Sequence, residues 1–92
     1  MKTRLALVAA RPSCEGPWMR SRGNETGVRV RGLGKGERII SRLDIHGVLQ
    51  PHVVLDRDGT FPLPERWTRI SFCKDSPEGA DMSATHVDLM VG

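Results

Sequence analysis

Between Gly27 and Leu55 the chain reads GVRVRGLGKGERIISRLDIHGVLQPHVVL, and its oily side chains recur mostly at every second residue. A period of two sends alternate side chains to opposite faces of an extended strand, whereas an amphipathic helix needs apolar spacings of three and four. Val28 and Val30 face one way and Arg29 and Arg31 the other, the mark of a half-buried strand. Gly32-Leu33-Gly34-Lys35-Gly36 turns the chain. In the next strand Ile39, Ser41, Leu43 and Ile45 share a face, with Arg38, Ile40, Arg42, Asp44 and His46 opposite. Gly47 ends it, and Leu49, Val53 and Leu55 form the following apolar row. There Pro51, which has no N–H, predicts an edge strand or a bulge. The stretch therefore reads as a meander of three strands.

The flanks continue the pattern. Leu5, Leu7 and Ala9 alternate with Ala6, Val8 and Ala10 as a first strand that is apolar on both faces. Residues 11–27 hold two Pro and three Gly and read as a loop or extended arm, with Trp18 and Met19 the side chains in it expected to dig into something. Asp56-Arg57-Asp58-Gly59 is a turn, and the prolines of Thr60-Phe61-Pro62-Leu63-Pro64 exclude a helix. Trp67 to Lys74 alternates again, Asp75–Ala84 is a polar loop, and Val87, Leu89 and Val91 make a last strand. No window carries helical spacing with caps. The expectation is one all-β domain over residues 1–92: a small antiparallel β-sandwich or barrel of six to seven short strands, its main body over 28–91.

Ninety-two residues with four aromatics and no Tyr leave a small interior built of Val, Ile and Leu, which favours assembly into something larger. Charge is unevenly spread: residues 1–42 hold 10 Lys/Arg against 3 acids, and residues 43–92 hold 4 against 8. If folding keeps the halves apart, the surface is dipolar and fits an acidic partner or head-to-tail contact between copies; if strands interleave, the charges mix. Arg20, Arg22, Arg29, Arg31, Lys35, Arg38 and Arg42 would form a basic stripe across two adjacent strands and their turn, a pattern that binds phosphate backbones. Single-strand binders interleave aromatics for stacking, and this half offers only Trp18. Nucleic-acid binding is thus the second expectation, behind protein contact.

Catalytic and metal patterns are thin. Val53 to Phe61 reads VVLDRDGTF and resembles the first motif of the haloacid dehalogenase-like phosphatases. That resemblance implies Asp56 as nucleophile and Asp58 as general acid with Mg²⁺ between them. The family's remaining Ser/Thr, Lys and acids occupy a far longer α/β chain, and only 32 residues follow Thr60 here. An Asp-x-Asp-Gly turn with carboxylates bonded to nearby backbone N–H groups is the simpler reading. A calcium loop on the same residues would put Val54 at its first ligand position, which cannot coordinate. Gly32–Gly36 lacks the GK[ST] ending of a phosphate loop. His46, His52 and His86 are scattered, and Asp44 with His46 makes only a surface pair. No enzyme, cofactor or metal is expected. Cys14 and Cys73 are open between one bridge closing a long loop and two buried thiols.

The hairpin GVRVRGLGKGER (27–38) and the turn-to-strand segment DGTFPLPERW (58–67), set in a short-stranded body with a long arm, resemble the small β-sandwich accessory proteins of tailed-bacteriophage virions, the decoration and head–tail components. The resemblance implies a structural, non-enzymatic chain repeated on a capsid or tail, contacting neighbouring subunits as an oligomer, with the arm crossing to a neighbour. Trp18, Met19, Phe61 and Trp67 are the expected contact residues, large apolar groups flanked by Arg and Pro. The start MKTRLALVAARPSC has an apolar run too short for an export core, and nothing approaches a membrane span. The expected location is the virion, or otherwise the cytoplasm.

Overall fold

The computed structural model describes residues 2–4, 8–9, 16–76 and 84–92. Ten short strands build two sheets packed face to face: β1 Lys2–Arg4, β2 Val8–Ala9, β3 Trp18–Arg20, β4 Glu25–Arg31, β5 Arg38–Ile45, β6 Val48–Leu49, β7 Val53–Leu55, β8 Gly59–Pro62, β9 Arg69–Asp75 and β10 His86–Val91. One sheet, A, has the order β1-β10-β4-β8 and is antiparallel throughout. The other, B, is built on the β9–β5 pair, with β2 and β3 along one side of β9 and β6 and β7 along the far side of β5. Its pairs are antiparallel except β2 with β9, which is parallel. The all-β expectation holds, with more and shorter strands than six or seven. The alternation of 5–10 lies partly outside the described residues, and β1 begins ahead of it.

Period-two burial is plain in the core. Val28 and Val30 of β4 and Val87 and Leu89 of β10 face Ile39 of β5 and Ile70 and Phe72 of β9 across the two sheets, with Leu55 beside them. Trp67 closes one end, buried, its indole N–H donating to the Glu25 carbonyl at 3.2 Å.

The meander is not a meander. β4 belongs to sheet A, with β10 and β8 as neighbours, and β5 belongs to sheet B. The glycine-rich stretch between them is a crossover from one sheet to the other. Gly32 sits there at φ +77°, and any Cβ on it would collide with the Ala84 carbonyl, so glycine is required. The Asp56–Gly59 turn likewise carries the chain from sheet B to sheet A. The tight hairpin of the molecule joins β5 to β6 through His46 and Gly47, at φ 50° and 83°. Two consecutive left-handed residues form the turn whose twist matches paired strands.

Pro51 behaves as its chemistry requires. Pairing of β5 with β6 and of β5 with β7 differ by one residue in register, so Pro51 and His52 together stand opposite Arg42. That is a bulge on an edge strand.

The region read as an arm folds onto its own domain. β3 pairs with β9 from Trp18↔Ser71 to Arg20↔Arg69, Ser21 N donates to Thr68 O at 2.8 Å, and Ser71 Oγ donates to Gly16 O at 2.8 Å. Cys73 is disulfide-bonded, so it is no free thiol. The one other cysteine of the sequence, Cys14, lies with residues 11–15 outside the described residues.

Candidate functional site

Interleaving of the strands cancels the charge asymmetry of the sequence. Arg31 of β4 meets Asp88 of β10 at 3.2 Å, Arg38 of β5 meets Asp75 of β9, and Lys74 of β9 meets Glu37 at 2.8 Å. The first two pairs set a cation of the first half against an acid of the second, and Lys74–Glu37 runs the other way, so charges of the two halves mix across the sheets. The Lys74–Glu37 pair is buried at the end of the core, where Glu37 also accepts the Gly34 N–H at 2.6 Å. The alternation held its signal: Lys74 stands in register with Ile39 on the face that Ile70 and Phe72 bury.

The basic stripe is divided by the same topology. Arg29 and Arg31 stand on sheet A, and Arg20, Arg38 and Arg42 on sheet B. Lys35 is exposed on the crossover, and Arg22 follows β3. β4 and β5 are not adjacent, so the seven cations do not line up as one stripe.

Within the D-x-D-G-T run it is Asp58 that bonds to distant backbone. Asp58 accepts the Gly32 N–H at 3.0 Å and the Leu33 N–H at 2.9 Å, one on each carboxylate oxygen, pinning the turn after β7 to the β4–β5 crossover. Asp56 is exposed and lies 3.7 Å from Arg57. Asp58 therefore holds backbone 25 and 26 residues away, beyond its own turn. Asp44 is buried and turned to the Gly47 N–H at 3.2 Å and to Arg69 at 3.6 Å. His46 contributes only its backbone N–H, donated to Thr68 Oγ1 at 2.8 Å.

Of the four expected contact residues, Trp18 alone is clearly exposed, at 38%. Met19 and Phe61 are partly buried against the core, and Trp67 is a core residue rather than a surface anchor. Trp18 is braced from one side: the Arg69 guanidinium lies 4.5 Å from its ring centroid, and Arg69 is held in turn by Asp44. Sequence reasoning missed Arg69 and Asp44 because β9 and β5 register them opposite one another from 25 residues apart.

A larger apolar feature lies on the opposite margin of sheet B. Along β6 and β7, Val48 is 62% exposed, Leu49 45%, Val53 57% and Val54 42%. Between β7 of sheet B and β8 of sheet A opens a slot of about 260 Å³ lined by Val53, Leu55, Phe61, Pro62, Leu63 and Leu43, among others. Pro51 and its bulge interrupt the edge, which blunts continuous strand addition while leaving these side chains in water. A second, wider hollow at the Trp67 end is ringed by Arg22, Glu25, His46, Glu65 and Arg66.

No protein-family model, curated protein or solved structure matches the chain.

Proposed function

We propose that the chain is a non-enzymatic assembly module, a structural subunit that binds neighbouring copies of itself in a larger particle. A virion surface or head–tail position is the setting that its sequence resemblance implies. The observation that supports the reading is the aliphatic margin of sheet B, four exposed side chains in two short strands beside an apolar slot. Val48 and Val53 turn to the slot side and Leu49 and Val54 to the outer face, so this margin offers apolar groups on both sides of the sheet, the kind of surface that suits a protein contact.

Trp18 is the large exposed apolar group available to fill the slot of a neighbour, and it stands on the other margin of the same sheet. The contact is then head-to-tail, which closes into a ring or extends as a filament. The Trp18–Arg69 stack holds the indole in place before contact, reducing the ordering cost.

Light scattering across a concentration series tests this. The wild-type chain is expected to assemble, and Val53→Asp and Trp18→Ala each to remain monomeric. Each variant keeps one good face, so an equimolar mixture should stop at one-to-one pairs. A wild-type monomer at all concentrations, or assembly unchanged in Val53→Asp, refutes the proposal.

A further inference from the structure

On the outer face of sheet B, the Arg42 side chain makes no hydrogen bond or ion pair among the described residues, and its Nε is shut off from solvent without an acceptor. The side chain as a whole is only half-buried, so its terminal amino groups reach the surface. The Nε, closed off from water, is out of reach of an incoming group, so an external partner would meet the terminal amino groups. The surroundings of Arg42 fix the chemistry those groups can take. Register places Ser71 beside it and the Pro51–His52 bulge on its other side. Ser71 Oγ is already engaged with Gly16 O. The carboxylates of this face, Asp44 and Asp75, are committed to Arg69 and Arg38. Arg20 stands in register with Arg69 on the same face, exposed. Along the margin, Leu49 pairs with Asp44 and Val54 with Ile40, giving exposed aliphatic groups on either side of Arg42.

We infer that this face is a docking site for an acidic, apolar-bearing segment of another protein, with a carboxylate received by Arg42 and flanking aliphatic side chains packed on Leu49 and Val54. The charge complementarity is local: two cations, Arg42 and Arg20, that pair with no carboxylate among the described residues, set among apolar groups. A nucleic-acid strand fits less well, because it needs a run of free cations and several stacking rings. Arg38 and Arg69 are already neutralised, and one face of the single exposed aromatic, Trp18, is occupied. The site shares Leu49 and Val54 with the margin proposed for self-assembly but is centred on Arg42, outside the slot between β7 and β8, so variants of Arg42 test it separately.

The test uses the full-length chain and a fluorescently labelled short peptide alternating Glu and Val, read by anisotropy. Parallel arms use the Gln–Val counterpart and a single-stranded thymidine oligonucleotide of equal length. The Glu–Val peptide is expected to bind at least about tenfold more tightly than either control, the range for hydrogen bonds to charged groups. Arg42→Gln should remove that preference, and Arg42→Lys should restore only part of it, because Lys cannot offer the planar fork. Thermal unfolding of Arg42→Met should match or exceed wild type, since that substitution removes the unsatisfied buried N–H. Equal binding of the oligonucleotide, or an unchanged Glu–Val affinity in Arg42→Gln, overturns the inference. Light scattering of Arg42→Gln is expected to match wild type, which keeps failure here separate from failure of the assembly proposal.

Discussion

Substituting Glu37 by Gln should be among the most damaging single changes the chain can undergo. Lys74 is fully buried and its Nζ lies 2.8 Å from Glu37 Oε2. At an effective dielectric of about 20, two unit charges at that separation attract by about 6 kcal/mol. Taking both ions out of water cancels much of this, so the intact pair is near neutral for stability compared with a well-packed apolar substitute. Removing one charge is different, because the desolvation cost of the other remains while the attraction is lost. The expected destabilisation for Glu37→Gln is about 3–5 kcal/mol, a large part of what a domain this size has. Glu37 also accepts the Gly34 N–H, a bond that the Gln amide oxygen can retain, so the loss reports on the charge rather than on the crossover. The double variant Glu37→Gln/Lys74→Met should recover most of the loss. Urea unfolding monitored by circular dichroism gives the midpoints, and the slope should stay constant across the variants. A Glu37→Gln cost below about 1 kcal/mol, or a double variant as costly as the two singles combined, would refute the reasoning.

Trp67→Ala should cost about 3–5 kcal/mol in the same assay, and Trp18→Ala less than about 1 kcal/mol, because one indole fills the core and the other faces water; equal losses would contradict their placement. Asp58→Ala should cost about 1–2 kcal/mol through the orphaned Gly32 and Leu33 N–H groups, with no response of either protein to Mg²⁺; a magnesium-dependent melting shift lost in the variant would reopen a metal role. Reducing the Cys73 bridge should lower stability by about 4 kcal/mol if it closes on Cys14, the chain-entropy value for a loop of about 60 residues. Peptide mapping under non-reducing conditions identifies the linkage, and a midpoint indifferent to reductant would show that the bridge adds nothing.

What the sequence made legible was the direction of side chains. Val28, Val30, Ile39, Ile70, Phe72, Val87 and Leu89 all sit on the buried face that their alternation assigns. Pro51 marked its own bulge because a missing N–H is a local property. Partners were not legible. Alternation says which face a residue takes and nothing about which strand lies beside it, so β4 and β5 read as a hairpin when a crossover separates them. The candidate site inherited the same error: a stripe of cations contiguous in sequence was dealt onto two sheets, while Trp18, Arg69 and Asp44 were gathered from three segments. Trp67 was ambiguous for a different reason. It lies between the Glu65–Arg66 turn and β9, where a period of two no longer assigns a face.

The connectivity itself can be tested without altering a residue. In sheet A, Arg29 stands between Thr60 of β8 and Asp88 of β10, whereas a hairpin about Gly32–Gly36 would set it near Ile39. Paired residues of antiparallel strands bring their Cα atoms to about 4.5–5.5 Å, and protons on facing backbones come closer still. A nuclear Overhauser spectrum of the labelled chain should therefore link the Arg29 backbone to those of Thr60 and Asp88, with none to Ile39. The distinction reaches beyond the fold. In that hairpin Arg29 would share the face of Ile39 and Arg31 would stand against Glu37, on the side of the sheet opposite Arg38 and Arg42. With β8 and β10 as neighbours, Arg31 is claimed by Asp88, while Arg42 stands on the other sheet, on the face where the proposed acidic segment would dock.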